Sequence, residues 1–381
     1  MPDTTIPPKT LAMRSTLSAG GELRLGLHEV DLPAPGPDDV VVRVEASPIN
    51  PSDILVLLGP ADPADLKAAE IEGRPGLVAQ VPAGRMGGMA TRLDLALPVG
   101  NEGAGEVVAA GVGAAAQALM GRRVAMRGGG MYARLRTLRA ADCLPLPDGA
   151  DPEDGAAAYV NPMTALSMLE TMRAEGHTAL VHTAAASNLG RMLVRICRAD
   201  GVGLVNVVRS AAQAEALRAE GAEHICVSTD PGFDAALEAA VSATGATLAF
   251  DAVGGGDLGG RIIHAMERGL AKDRPWSPYG TSVRKQVYHY GLLDEGPIVI
   301  PQGMGLSWGA GGWLLTNFLA AAGGEVATRL RARVAAELTT TFASRYTARV
   351  SLAEALDPET ARAWARRATG EKYLVRPDRE S

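Results

Sequence analysis

The residues with the clearest chemical meaning stand between Thr183 and Gly190, in the stretch TAAASNLG. A pyrophosphate is held by backbone N–H groups that converge on it from a turn of small residues, backed by the positive end of a helix. Here the apolar run TALVHT leads into AAASN, after which Leu189, Met192, Leu193, Ile196 and Cys197 recur at the spacing of one buried helical stripe. Ser187 and Asn188 offer a hydroxyl and an amide to an anion, and each is also a competent N-cap for that helix. Only Gly190 survives of the glycine-rich fingerprint usual in such turns, so a plain tight connection between strand and helix is the alternative reading.

Roughly twenty residues beyond such a turn, a carboxylate at the end of the second strand bonds the ribose 2′-hydroxyl of a non-phosphorylated coenzyme. This chain has Arg209 there, followed by Ser210. A guanidinium attracts a 2′-phosphate through charge-assisted bonds, which predicts NADPH over NADH; an arginine simply exposed at a strand end is the alternative. Metal chemistry finds no comparable pattern. The six histidines form no pair at ligand spacing, and Cys143, Cys197 and Cys226 are too widely spaced for a metal knuckle or a disulfide framework. Tyr132 and Tyr159 are candidate acids, although a tyrosine among apolar residues more often packs in a core with its hydroxyl satisfied.

The elements that must position these residues fall into two kinds. From 24 to 139 short β-like runs alternate with Gly and Pro punctuation, predicting a β-rich half. Within it, 59–99 is dense in Ala, Pro and Gly and reads as a long loop or lid with one short helix over 63–70. From Thr178 onward strands alternate with helices (strands at GLVNVV, HICV and TLAFDAV, helices over 211–220 and 233–243), and the run closes near QVYHYG. That alternation yields a doubly wound parallel sheet. An apolar helix, GGWLLTNFLAAA, an Ala- and Arg-rich helix and a strand-like EKYLVRP complete the chain.

A chain of 381 residues is long enough for about two domains. With 47% apolar and 21% charged residues it has globular composition, and its net charge of -6 disfavours nucleic-acid partners. The arginines at 331–333 and 362–367 read as solvated helix faces. The start MPDTTIPPKT lacks a basic then apolar leader, and no apolar run reaches membrane-spanning length, so a cytoplasmic protein with no membrane partner is expected.

Several segments together resemble the zinc-free quinone oxidoreductase branch of the medium-chain dehydrogenase/reductase superfamily. They are VVVRVEASPINPSDI at 40–54, VGNEGAGEVVAAG at 99–111, LPLPDGADPEDGAAAYVNPMTAL at 144–166, DAVGG at 251–255 and the ending ATGEKYLVRP. The resemblance spans nearly the whole chain. It implies an α/β protein with a GroES-like β domain over 1–160, completed by 312–381, and an inserted Rossmann domain over 161–311. It places Asn50 and Thr164 beside the nicotinamide, Ser187, Asn188, Leu189 and Gly190 at the pyrophosphate, and Arg209 at the 2′-phosphate, with Tyr290 and Gly291 along the cofactor. Asn50 before Pro51 equally suits a turn cap, and Thr164 equally suits the opening of a helix. The related zinc enzymes need Cys and His ligands where this chain has Asn50-Pro51-Ser52 and Asn101 before Glu102, so no metal is expected.

Departures from the family bear on mechanism. The tyrosine that protonates substrate in related enoyl-thioester reductases falls here at about Ala61, and the family's TGK reads Thr369-Gly370-Glu371 with Lys372 one place later. Hydride transfer from NADPH to a quinone or other electron-poor carbonyl compound is therefore expected, with Asn50 as the first candidate donor to the oxygen that gains charge. The rivals are an enoyl-thioester or enone reductase and a protein that binds NADPH without turnover. The apolar stretch IVIPQGMGLSWGAGGWLL suits either a homodimer sheet edge or a core.

Overall fold

The computed structural model describes residues 6–272 and 274–379. Residues 1–5, the first half of the segment on which the leader argument rests, lie outside the described residues. The chain divides into two compact units, one of residues up to 160 with those from 333 onward, the other of residues 161–332. The return to the first unit thus comes later than 312, because the helical stretch Leu315–Ala336 carries the chain across the boundary.

In the first unit the order is β1 (Lys9–Leu17), β2 (Glu22–Asp31), β3 (Asp39–Pro48), α1 (Pro51–Leu57), β4 (Lys67–Ile71), β5 (Arg74–Gln80), β6 (Leu97–Pro98), β7 (Glu102–Ala110), α2 (Ala114–Gln117), β8 (Arg123–Arg127), β9 (Leu135–Arg139), β10 (Cys143–Pro145) and α3 (Pro152–Ala156). One sheet runs β4-β5-β2-β1-β6 and a second runs β10-β8-β7-β3, with β9 also paired to β3. Period-two alternation explains the first: Leu23 and Leu25 are buried while Glu22 and Arg24 face water, and Leu17, Leu57, Leu66 and Leu77 join them in one core. Val40, Val42, Val44 and Val107 seed the other.

The segment 59–99 differs from its expectation. Pro63–Asp65 forms one 3-10 turn capped by Asp62, and the chain then makes the hairpin β4–β5, which extends the first sheet through pairs such as Leu25↔Leu77. Glu72 and Gly73 both take positive φ (52° and 72°), the backbone a two-residue hairpin turn demands. Asp-Pro at the start mimics a helix signal, and Ala and Gly hide the strand alternation. Beyond the hairpin, Arg92 bonds the Leu55 and Val56 carbonyls and Ser15 Oγ, tying the rest of the segment to α1 and β1.

The second unit opens in α4 (Val160–Ala174) and continues β11 (Ala179–His182), α5 (Asn188–Asp200), β12 (Gly203–Val208), α6 (Ala211–Ala219), β13 (His224–Val227), α7 (Phe233–Thr244), β14 (Leu248–Asp251), β15 (Gly254–Gly256), α8 (Leu258–Ala271), β16 (Lys285–His289), β17 (Asp294–Ile298), β18 (Trp308–Gly312) and α9 (Leu315–Ala336). The parallel order β13-β12-β11-β14-β16-β18 is that of a doubly wound dinucleotide-binding sheet. The sheet does not close near QVYHYG: Trp308–Gly312 adds a sixth strand, and Gly311 and Gly312, read as the opening of a helix, belong to it. Ahead of β16, buried Lys285 donates from Nζ to Glu267, to Thr281 Oγ1 and to the Val283 carbonyl, which ties 281–285 to α8.

Back in the first unit come β19 (Ala348–Val350), α10 (Pro358–Ala365) and β20 (Tyr373–Val375). Strand β20 pairs antiparallel with β3, and Ile49 N–H donates to the Tyr373 carbonyl at 2.9 Å, which brings Lys372 beside Asn50. Among the described residues no helix is long and apolar enough to cross a membrane.

Candidate functional site

In the second unit, β11 lies between β12 and β14, at the point where strand order reverses and open α/β sheets bind ligands. The chain leaves it through Thr183 and then Ala184, which adopts a left-handed φ of 49°. Ser187 Oγ accepts the Gly190 N–H at 3.2 Å, so the expected cap of α5 forms. A Cβ on Gly190 would lie 2.1 Å from the Ala185 carbonyl oxygen, which is why glycine persists there. The first amides of a helix have no intrahelical partner and carry its positive dipole end, and α5 presents them on this turn. The side chain of Leu189 is buried in the helix stripe, so that residue has only its backbone to offer a ligand.

Arg209 follows β12, its N–H held by Gln213 Oε1 and its carbonyl by Thr229 Oγ1. Its guanidinium is exposed and enters no ion pair or hydrogen bond among the described residues. Ser210 beside it caps α6.

On the other side of β11, Asp251 is buried and accepts from Thr183 Oγ1 (2.6 Å), Val253 N–H (3.0 Å), Gly254 N–H (3.1 Å) and His289 Nδ1 (3.0 Å). Burial alone would raise its carboxyl; His289, Thr183 and the two amides outweigh it and hold the group below the usual range. Tyr290 Oη meets His182 Nε2 at 2.7 Å, and burial pushes that imidazole down to about 4, keeping it neutral. Gly291 sits where a Cβ would be 2.3 Å from the Ala252 carbonyl oxygen. Thr164 is buried within α4, past its first residues, so it does not open that helix.

The first unit holds a separate polar cluster. Asn50 precedes α1, its backbone carbonyl accepts the Asp53 N–H at 2.9 Å, and Asp53 reaches back, its Oδ2 accepting the Asn50 N–H at 2.8 Å while Oδ1 accepts the Asn101 N–H at 2.8 Å. Asn50 Nδ2 donates to Glu102 Oε1 at 2.7 Å, and Glu102 Oε2 accepts the N–H groups of Tyr159 and Val160. Burial, with Glu102 nearby, pushes Asp53 up to about 7 against the pull of the two amides and Lys372. Glu102 is likewise raised by burial. Tyr132 Oη donates to the Pro48 carbonyl at 3.0 Å, the satisfied core tyrosine its surroundings predicted, and Tyr159 Oη accepts from Arg127. A zinc site does not fit here: Asn50-Pro51-Ser52 supply no thiolate, and both Glu102 oxygens are already engaged. Sequence reasoning missed Asp53, Asp251 and the burial of Lys372; the capping-box spacing of Asn50 and Asp53 was the one available signal.

Residues 36–148 match the alcohol dehydrogenase GroES-like domain family. A solved structure from Mesorhizobium loti, described as an NADPH:quinone reductase, is 28% identical and superimposes with a TM-score of 0.74 over 98% of this chain and 100% of that one. The synaptic vesicle membrane protein VAT-1 homolog of Rattus norvegicus is 29% identical over 257 residues, 66% of this chain and 55% of that protein. Mitochondrial enoyl-[acyl-carrier-protein] reductase of Bos taurus is 29% identical over 206 residues, 52% of this chain and 48% of that protein. The chain spans about half the length of the curated relatives it matches. A GroES-like unit together with a doubly wound parallel sheet defines the medium-chain dehydrogenase/reductase superfamily, to which the chain belongs. Within it, the chain is similar both to structures described as quinone reductases and to enoyl reductases.

Proposed function

We propose that the chain is an NADPH-dependent reductase that acts on a quinone or another electron-poor carbonyl compound without a metal. The observation that carries this reading is the turn 183–190, packed tightly enough to exclude a Cβ at Gly190, followed at the end of the next strand by the unengaged guanidinium of Arg209. A pyrophosphate suits the first feature and a 2′-phosphate the second. Bound there, the coenzyme supplies the hydride. Ser187, Asn188, Gly190 and the Leu189 amide hold its phosphates in this reading, Arg209 selects the phosphorylated form, and Thr164, Tyr290 and Gly291 orient it. The likeness to the enoyl reductase keeps an enoyl thioester as the second substrate class. A homodimer formed along the outer edge of β18 and a cytoplasmic location belong to the same proposal.

Fluorescence titration of the protein and of Arg209→Ala with NADPH and NADH tests it. The substitution should weaken NADPH by about 10- to 100-fold, on the scale of hydrogen bonds to a charged group, and leave NADH unchanged. Turnover of 9,10-phenanthrenequinone against crotonyl-thioester then separates the substrate classes. No response of the wild type to either nucleotide overturns the reading.

A further inference from the structure

In the second unit, the arginine in the first turn of α5 reaches back onto the segment that precedes the helix. Arg191 Nε donates to the Ala186 carbonyl at 3.1 Å, and the Arg191 N–H donates to the Ser187 carbonyl at 2.9 Å. Its Nη1 pairs with Glu220, the residue that closes α6, and Glu220 is held a second time where Arg198 Nη1 donates to its carbonyl at 2.9 Å. The side chains of the pair are 25% and 20% exposed, so water screens them less than it screens a surface pair. Glu220 thus anchors the guanidinium, and the guanidinium anchors the turn.

The other carbonyls of the turn are taken up as well. The Ala184 carbonyl accepts the Ser187 N–H at 2.9 Å, and the Ala185 oxygen lies against Gly190, 2.1 Å from where a Cβ would stand. Carbonyl oxygens from 184 to 187 therefore all face groups of their own unit. This matters to an anion, because an amide attracts a phosphate oxygen and a carbonyl repels it. Glycine usually lets the backbone of such a turn adopt that arrangement without strain. This chain has alanine at 184, 185 and 186, and Ala184 takes a φ of 49°, a left-handed conformation that is unfavourable for a residue with a Cβ. Rotation out of it would swing the peptides that follow and carry the Ala186 carbonyl from its present place. The bond from Arg191 opposes that swing.

We propose that Arg191 is a positioning residue for the coenzyme, holding the Ala186 carbonyl inward so that a turn without the usual glycines still presents its amides to the pyrophosphate. This rests on the reductase reading above and concerns the same turn. Arg191 acts through the backbone of 184–187 with its own charge committed to Glu220, whereas Arg209, in that reading, meets the 2′-phosphate itself. The two arginines therefore divide the coenzyme. One governs the part common to NADPH and NADH, and the other governs the part that distinguishes them. Periodicity does not mark Arg191, which stands off the buried stripe of α5, where a solvated arginine is the ordinary reading.

Fluorescence titration of Arg191→Ala and the wild type, as whole chains, makes the test. Loss of a charge-assisted hydrogen bond should weaken NADPH and NADH by the same factor, about 10-fold, while adenosine 2′-monophosphate, which has no pyrophosphate, should bind both proteins alike. Adding Ala184→Gly, which adopts a positive φ freely, should restore both affinities. Arg198→Ala, two helical turns further along α5, loses the bond to the Glu220 carbonyl and should bind like the wild type, which controls for general loosening of the helix. Unchanged affinities in Arg191→Ala overturn the proposal, and so does a loss confined to NADPH. A loss that Ala184→Gly leaves unrepaired overturns it too, being the result expected of a guanidinium that met the phosphate directly. Amide hydrogen exchange of the nucleotide-free protein reads the brace independently: Arg191→Ala should speed exchange at Ala185 and Ser187, whose N–H groups bond the Val207 and Ala184 carbonyls. If the wild type binds neither nucleotide and that exchange still quickens, the coenzyme reading fails and the hold of Arg191 on the turn stands; unchanged exchange removes the hold as well.

Discussion

Gly190 inside helix α5 and Gly201 just after it separate packing from backbone conformation. At Gly190 an alanine Cβ would lie 2.1, 2.6 and 2.7 Å from the oxygen, carbonyl carbon and Cα of Ala185. These are backbone atoms, so no rotamer change relieves the clash, and a contact of normal length requires helix and turn to part by about 1 Å. Overpacking of this kind costs about 1–3 kcal/mol. Gly201 ends the same helix at φ 66° with nothing near its missing Cβ, so alanine there meets only the left-handed penalty of about 1–2 kcal/mol. The two variants should therefore be comparable in melting temperature, each a few degrees below wild type. They should part in ligand binding: a shift of about 1 Å in the groups that grip a phosphate costs about 100-fold, whereas the far end of the helix touches no ligand. Differential scanning calorimetry and NADPH titration of both variants make the measurement. If Gly190→Ala binds NADPH as Gly201→Ala does, the turn does not grip the pyrophosphate and the argument from Gly190 fails.

Two further outcomes follow from buried charge. Asp53, raised to about 7, keeps its proton in the folded chain while the unfolded chain gives it up near pH 4, so its contribution to stability is present below that point and lost as pH rises toward 7. Across that window the wild type should lose up to about 4 kcal/mol relative to Asp53→Asn, at 1.36 kcal/mol per pH unit; parallel stability curves would refute the assignment. Glu102 is raised too and slopes the same way, which is why the comparison with Asp53→Asn matters. Lys285→Met should destabilise the second unit by about 3–5 kcal/mol, because it strands Glu267 as a buried charge, and adding Glu267→Gln should recover part of the loss. Urea unfolding checks this, and a loss below about 1 kcal/mol for the single variant counts against it.

The turn 183–190 and its helix were legible because they are local. The stripe Leu189, Met192, Leu193, Ile196 and Cys197 is buried as its periodicity requires, Ser187 caps the helix it precedes, and Arg209 stands free at the end of its strand. The hairpin β4–β5 and the sixth strand β18 were not legible. Small residues blur alternation, and a strand such as WGAGG exists only because β16 offers it an edge.

Sequence alone thus determined most of the order of elements, the two kinds of fold and the capped start of the helix after 183–187, since propensity, capping and periodicity act over a few residues. Tertiary structure alone decided which polar groups lose water together. Asn50, Asp53, Glu102, Tyr346 and Lys372 come from distant parts of the chain, and the pairing of β7 and of β20 with β3 gathers them where burial can shift a pKa. Desolvation is a property of the assembled surroundings, and no residue carries it in its own type.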